Sequence, residues 1–68
     1  MQMRKIIISE KLKLFRCQNR ITQKDLADLM GITAQSDSKW EREECYPEIA
    51  LLPFLADTIG CKVDEFFA

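Results

Sequence analysis

Residues 22–42, TQKDLADLMGITAQSDSKWER, limit the possible folds of this chain more than any other stretch. Thr22 is followed three residues later by Asp25, a pair that resembles a capping box and predicts a helix beginning beside it. Apolar residues at helical spacing then lead to Gly31, a residue suited to the left-handed conformation that ends many helices. We therefore expect a short helix from Gln23 to Met30.

A second helix follows the glycine turn. Thr33 can cap it, and it is expected to run from about Ala34 to Arg42 with Trp40 on its buried side. Two helices joined by a three- to four-residue turn that contains Gly are the pattern of a helix-turn-helix. The sequence places this unit at about residues 22–42.

Helical signals continue on both sides of this unit. Apolar residues at i, i+4 and i+7 predict a first helix from Ile8 to Cys17. In YPEIALLPFLADTIG, regular helix should start close to Pro53, after a looser turn through Glu48 to Leu52, and end at Gly60. A last short helix is expected over Val63 to Phe67. Only RKIII (residues 4–8) could form a strand, so we predict an all-α fold.

Length and composition indicate one folded domain over residues 1–68. The chain is 47% hydrophobic and 31% charged, without low-complexity sequence. It has no His, and its three cysteines are odd in number and widely spaced, which argues against a zinc site or a disulfide framework. Each cysteine is expected to be a small buried hydrophobe. No segment is long and apolar enough to span a bilayer, so we expect a cytoplasmic protein with no membrane partner.

Charge is distributed unevenly, although the net charge is only −1. Residues 1–42 hold nine Lys/Arg against five Asp/Glu, whereas residues 43–68 hold one against six. The basic half could meet phosphates while the acidic half points away.

Three blocks of the sequence closely resemble the Xre/Cro-like helix-turn-helix family of phage-repressor-like DNA-binding domains. They are TQxxLAxxxGI, SKWE and YPxIxLLPxLA, in the family's order and at its spacing. With the first helix, the likeness covers about residues 8 to 67. It implies a compact five-helix bundle of the lambda-repressor type, with the third helix entering the DNA major groove.

The resemblance also implies which residues meet DNA. Gln23 would anchor a phosphate, and the exposed positions of the third helix would contact bases. Side-chain chemistry agrees, since Gln can pair with adenine, Lys can donate to guanine, and an alanine methyl can pack on a thymine methyl. The expected base-contacting residues are Ala34, Gln35, Ser38 and Lys39. The expected phosphate contacts are Gln23, Lys24, Thr33 and Arg42, with Arg20 as a further candidate.

Four residues are expected to be structural. Arg16 and Glu41 match a pair that forms a partly buried ion pair in several family members, and Trp40 is expected to anchor the core. Asp37 departs from the pattern, because its position normally carries Val or Ile packed against a small residue, here Ala27. Burying this carboxylate without a partner should be costly, and Glu41 one turn later is expected to be a like charge rather than a partner.

Loop positions depart from the family pattern as well. Glu43 stands where Gly often ends the third helix, so either the loop differs or Glu43 adopts a costly left-handed conformation. Arg20 stands where Gly is common, and Lys62 replaces the usual cap of the last helix.

The leading functional hypothesis is a sequence-specific transcriptional regulator that binds double-stranded DNA as a homodimer on a pseudo-palindromic operator. Phe66 and Phe67, expected to be only partly covered by the core, would form the dimer contact. The alternative is a protein-interaction module of the same fold, such as an antitoxin or anti-repressor, favoured by Asp37, Glu43 and Glu44. An enzyme is disfavoured because the chain has no His to act as a base, no Gly-rich phosphate-binding loop and no metal-ligand cluster. No cofactor or small-molecule ligand is expected.

Overall fold

The computed structural model describes residues 4–68, so the first three residues of the predicted domain lie outside it. The described chain contains four α-helices and two short 3-10 helices, which confirms the all-α prediction. The α-helices are α1 (Ile8–Asn19), α2 (Gln23–Met30), α3 (Ala34–Glu41) and α4 (Leu52–Ile59). The 3-10 helices cover Ile49–Leu51 and Val63–Phe66. The predicted count of five α-helices was therefore slightly wrong, because the last element is a tighter 3-10 turn.

The helix-turn-helix unit is held by the local signals found in its sequence. The Thr22 hydroxyl accepts a hydrogen bond from the Asp25 amide at 3.1 Å, and the Asp25 carboxylate accepts one from the Thr22 amide at 3.0 Å. This capping box satisfies amides that would otherwise lack partners at the start of α2. Gly31 ends the helix at φ 67°, and the Thr33 hydroxyl caps the Ser36 amide at 3.1 Å.

Other element boundaries shifted only slightly from their predicted positions. α1 continues two residues beyond Cys17, and α3 ends one residue before Arg42. Arg20 adopts the left-handed conformation at φ 54°, so a non-glycine residue closes α1 at a position where Gly is common. α4 begins at Leu52, with Pro53 in its first turn, as its missing amide hydrogen predicted.

The core lies between α1, α2, α3 and α4, and the last 3-10 helix closes one side of it. Its fully buried large residues include Leu12, Leu26, Leu55 and Phe66. Phe66 is 0% exposed, so the expectation that both C-terminal phenylalanines are only partly covered was wrong for this residue. Phe67 is half-buried and packs against the core. A single turn of 3-10 helix is enough to direct Phe66 inward.

The segment before α1 lies beside the C-terminal residues. Ile6 forms an isolated antiparallel bridge with Phe67, and the Ile7 amide donates to the Phe66 carbonyl at 2.8 Å. The Arg4 guanidinium donates to the Asp64 carboxylate at 2.7 Å. The strand-like RKIII stretch thus contributes one bridge before it enters α1.

The cysteines do not occupy the core as expected. Cys17 and Cys45 are exposed, and Cys61 is half-buried. Cys17 falls on the outer face of α1, because the buried side of that helix is defined by Ile8 and Leu12. Cys45 lies in the loop after α3. Within residues 4–68, no helix is long and apolar enough to cross a membrane.

Candidate nucleic-acid interface

α3 has two chemically distinct sides. Asp37, Trp40 and Glu41 point into the protein and are buried. On the opposite side Ala34, Gln35 and Lys39 are exposed, and Ser38 is half-buried. An α-helix with its side chains is about 10–12 Å in diameter, which fits the DNA major groove of about 12 Å width. The four predicted base-contacting residues therefore share one accessible side of a helix of suitable size.

The predicted phosphate contacts surround this helix, and two of the cations among them are already paired. Lys24 lies 3.4 Å from the Asp28 carboxylate on α2. Arg42, immediately after α3, donates hydrogen bonds to the Glu44 carboxylate and to the Ser38 hydroxyl. Both ion pairs are exposed and therefore weak, so another anion can displace the carboxylate at little cost. By contrast, Lys39 forms no ion pair within the described part of the chain.

The remaining predicted phosphate contacts lie at the beginnings of the two helices of the helix-turn-helix. Gln23 is half-buried at the start of α2, and Thr33 is exposed just before α3. The Thr33 hydroxyl, besides capping α3, donates a hydrogen bond to the Ser36 hydroxyl at 3.0 Å. Arg20, the further candidate, is exposed before α2. Helix beginnings of this kind present amides and partial positive charge to an anion.

The loop after α3 adopts the left-handed conformation considered for it. Glu43 has φ 62°, a conformation that is unfavourable for a side chain larger than glycine. The buried Ser9 hydroxyl donates to the Glu43 carboxylate at 3.1 Å and so ties this loop to α1. Ser9 was not identified from the sequence, because its partner lies 34 residues away and no local pattern marks the pair.

Beneath the exposed side, an ion pair joins α1 to α3. The Arg16 side chain donates from Nε and Nη2 to the Glu41 carboxylate, with the shortest contact at 2.7 Å. Glu41 is 2% exposed, so its charge depends on this guanidinium for compensation. Burial raises the pKa of Glu41, but hydrogen bonds from Arg16 and Asp37 outweigh that effect and leave the pKa lowered. The pair thereby fixes the orientation of α3 on α1.

Asp37 lies beside this ion pair, but no donor group of the described chain reaches its carboxylate. It is 0% exposed, and neither carboxylate oxygen has a hydrogen-bond donor among residues 4–68. Burial raises its pKa to about 8, and the hydrogen bond with Glu41 and the negative charge of Glu41 act in the same direction. The carboxyl group is therefore mostly protonated at neutral pH and can donate its proton to Glu41. The sequence had suggested only a like charge at Glu41, whereas beside a protonated Asp37 this residue becomes a hydrogen-bond acceptor.

This arrangement defines a class of protein. Two helices joined by a glycine turn, the second with a buried side and an exposed polar side, form a helix-turn-helix of the DNA-binding kind. The following comparisons with known proteins agree with that description.

A family model described as helix-turn-helix matches residues 12–66. An uncharacterized helix-turn-helix-type transcriptional regulator of Methanocaldococcus jannaschii is 30% identical over 60 residues, covering 88% of this chain and 91% of that protein. The chain belongs to the helix-turn-helix family of DNA-binding transcriptional regulators, and the resemblance to its Xre/Cro-like members is confirmed.

Solved structures show the same fold. The P22 c2 repressor protein, in a crystal structure with synthetic operator 9T in the presence of Tl+, superposes with a TM-score of 0.79 at 26% identity. That match covers 91% of this chain and 94% of the repressor chain. A hypothetical transcription factor, NHTF from Neisseria, also gives a TM-score of 0.79, at 19% identity, over 93% of this chain and 72% of that one.

Proposed function

We propose that this protein is a cytoplasmic, sequence-specific transcriptional regulator that inserts α3 into the DNA major groove. The observation that carries the proposal is the exposed side of α3, where Gln35, Ser38 and Lys39 stand opposite the buried side of the same helix. Gln and Lys side chains can form paired hydrogen bonds with adenine and guanine edges, which distinguish base pairs in the major groove. The matched P22 c2 repressor, solved with a synthetic operator, supports the same use of the fold here.

Phosphate contacts would position the helix. Gln23 begins α2 and Thr33 precedes α3, and Lys24 and Arg42 supply positive charge once their intramolecular carboxylate partners are displaced. Such contacts fix the register of the helix in the groove and contribute affinity that does not depend on sequence. We propose that this single domain contains the whole DNA-binding surface.

A homodimer would allow two α3 helices to occupy half-sites of a palindromic operator about 34 Å apart. The predicted dimer contact must differ from the one expected from the sequence, because Phe66 is buried within its own chain. Ile49, on the first 3-10 helix, and Phe54, on α4, are 84% and 47% exposed and supply apolar surface for such a contact. Sedimentation analysis at high micromolar concentration, with and without DNA, tests the dimer, and a monomer in both samples would refute it.

The alternative is a protein-interaction module with weak or no operator binding. The pairing of Arg42 with Glu44 favours it, since the cation that would contact a phosphate is already paired with a carboxylate. Glu43 adds a second negative charge to the same loop.

Salt-dependent DNA binding distinguishes these two functions. The probe is a fluorescent random-sequence duplex of about 20 base pairs, long enough for two half-sites one helical turn apart. A regulator that neutralises several phosphates should lose affinity steeply with added salt, with a slope of about −0.9 per phosphate on log axes. An absent or flat response would favour the interaction module.

Two variants refine this measurement. Arg42→Ala should weaken binding to all sequences alike and reduce the salt slope by about one phosphate contact. Lys62→Ala is the matched control, because it removes an exposed cation from the acidic C-terminal half of the chain. If both variants lower the slope equally, binding reflects overall charge and not the α3 surface.

A further inference from the structure

A buried acidic pair lies directly beneath the proposed DNA-contacting helix. Asp37 and Glu41 are one turn apart on α3, with 0% and 2% of their surfaces exposed. Of the two carboxylates, Arg16 donates only to Glu41, so one guanidinium compensates one carboxylate and leaves the other without a donor. Two buried carboxylates beside a single cation are stable only if one of them keeps its proton.

The groups around Asp37 leave no other partner for a second negative charge. From α1 the charged neighbour is Arg16, and from α3 itself it is Glu41. α2 and α4 face the core with the apolar residues Leu26, Ala27, Met30, Leu52, Leu55 and Ala56. The charged residues of α2, namely Lys24, Asp25 and Asp28, are exposed.

The acidic pair is also close to the predicted phosphate contact on α2. The side-chain amide of Gln23 lies near enough to Glu41 to lower the pKa of that carboxyl group. Asp37 itself lies between the predicted base-contacting residues Gln35 and Lys39 in the sequence of α3. A change in the position of Asp37 therefore moves both the base-contacting side of α3 and the neighbour of Gln23.

We propose that a proton shared between Asp37 and Glu41 holds α3 in its DNA-binding position, so that loss of this proton releases the helix and weakens DNA binding. With the proton present, Asp37 donates to Glu41 and the cluster has one negative and one positive charge. Without it, two adjacent carboxylates repel each other in a site closed to water. Outward movement of α3 would reduce this repulsion by exposing the carboxylates to water. The effect on DNA rests on the function proposed above, whereas the movement of α3 does not.

The first experiment follows the proton and the helix without DNA. Carboxyl-carbon NMR of the full chain from pH 4 to pH 9 reports the ionisation of Asp37, and fluorescence reports Trp40, the only tryptophan. Trp40 is buried on the same side of α3, so outward movement should shift its emission to longer wavelength. We expect Asp37 to ionise near pH 8 with a simultaneous emission shift.

Asp37→Asn keeps the shape and the donor but cannot ionise, so its emission should not change over this range. Asp37→Val provides a second non-ionising variant in case the amide packs poorly. Asp57→Asn, an exposed acid on α4, is the matched control and should behave as the unmodified protein does. All these proteins carry the same three cysteines, so any contribution of the thiols to the emission is common to them. Ionisation of Asp37 near pH 4, or equal emission shifts in all proteins, would overturn the proposal.

The second experiment measures binding of the random duplex at fixed salt. If only the protonated form binds, a carboxyl group with a pKa of about 8 predicts about tenfold weaker binding at pH 9 than at pH 7. The two Asp37 variants should show a flat profile over this interval. Identical profiles for the unmodified protein and Asp37→Asn would refute the link to DNA. Absence of binding by every protein at every pH would instead refute the proposed DNA-binding function, and the NMR and fluorescence results would still decide the movement of α3.

Discussion

Replacing Asp37 by Val should stabilise the protein in a manner that depends on pH. The side chain is fully buried on the core side of α3, where Val or Ile is usual in the family the chain resembles. Burial raises the pKa of Asp37 from 3.8 to about 8. A carboxyl group whose pKa is raised on folding takes up a proton as the chain folds, so its presence lowers stability wherever the unfolded form is ionised.

The size of the effect follows from this shift. The gap between pH 7 and the unfolded pKa of 3.8 corresponds to a loss of at most about 4 kcal/mol of stability, because each pKa unit is worth about 1.4 kcal/mol. Glu41 titrates together with Asp37 and its lowered pKa offsets part of the loss, so we expect about 2–4 kcal/mol. Below pH 4 both states are protonated and the penalty disappears. Between about pH 4 and about pH 8 it grows, and above pH 8 it is complete.

Thermal unfolding of the unmodified protein and Asp37→Val at pH 4, 5.5, 7 and 8.5 tests this reasoning. For a domain of this size, 2 kcal/mol corresponds to a Tm increase of roughly 10 °C, and the increase should shrink steadily towards pH 4. Asp37→Asn should reproduce the pH dependence of the difference with a smaller gain. If Asp37→Val is neutral or destabilising at pH 7, the carboxylate has hydrogen-bond donors or is hydrated, and its assigned position is wrong.

Three further changes test the surface and its support. Lys39→Ala should lose about 1–3 kcal/mol of discrimination at one or two base positions in DNA selected from a random pool, and a uniform loss over all sequences would exclude a base contact. Arg16→Met should lower the free energy of unfolding by about 3 kcal/mol in urea titrations, since it leaves Glu41 buried without its cation, and a neutral result would show that Glu41 reaches water. Glu44→Gln should strengthen binding to the random duplex about two- to fivefold by freeing Arg42, as expected for an exposed ion pair worth up to about 1 kcal/mol. Unchanged affinity would indicate that Arg42 does not contact phosphate.

Much of the fold could be predicted because its signals are local. The capping box at Thr22, the cap at Thr33 and the glycine turn between them each act within a few residues, so sequence alone placed α2 and the start of α3. Apolar spacing likewise identified the buried side of α1, and Trp40 marked the buried side of α3. The exposed polar side of α3 follows directly, because a helix with one side buried must present the other.

Other features were decided only when distant segments came together. Ser9 meets Glu43 across 34 residues, and no local pattern announces that contact. The inward position of Phe66 depends on a 3-10 turn whose geometry the sequence pattern did not separate from an α-helix. Cysteine burial was mispredicted for a similar reason, since residue type gives only an average preference and the local face decides each case.

The state of Asp37 shows this division most clearly. The resemblance to the family located an acid at a core position, where Val or Ile is usual, and burial of a carboxylate there was predicted to be unfavourable. Only the tertiary structure places Arg16 of α1 against Glu41 and leaves Asp37 with a carboxylate neighbour and no donor. Ionisation depends on the distance to every nearby charge and on exclusion of water, and these quantities exist only after the helices have packed together.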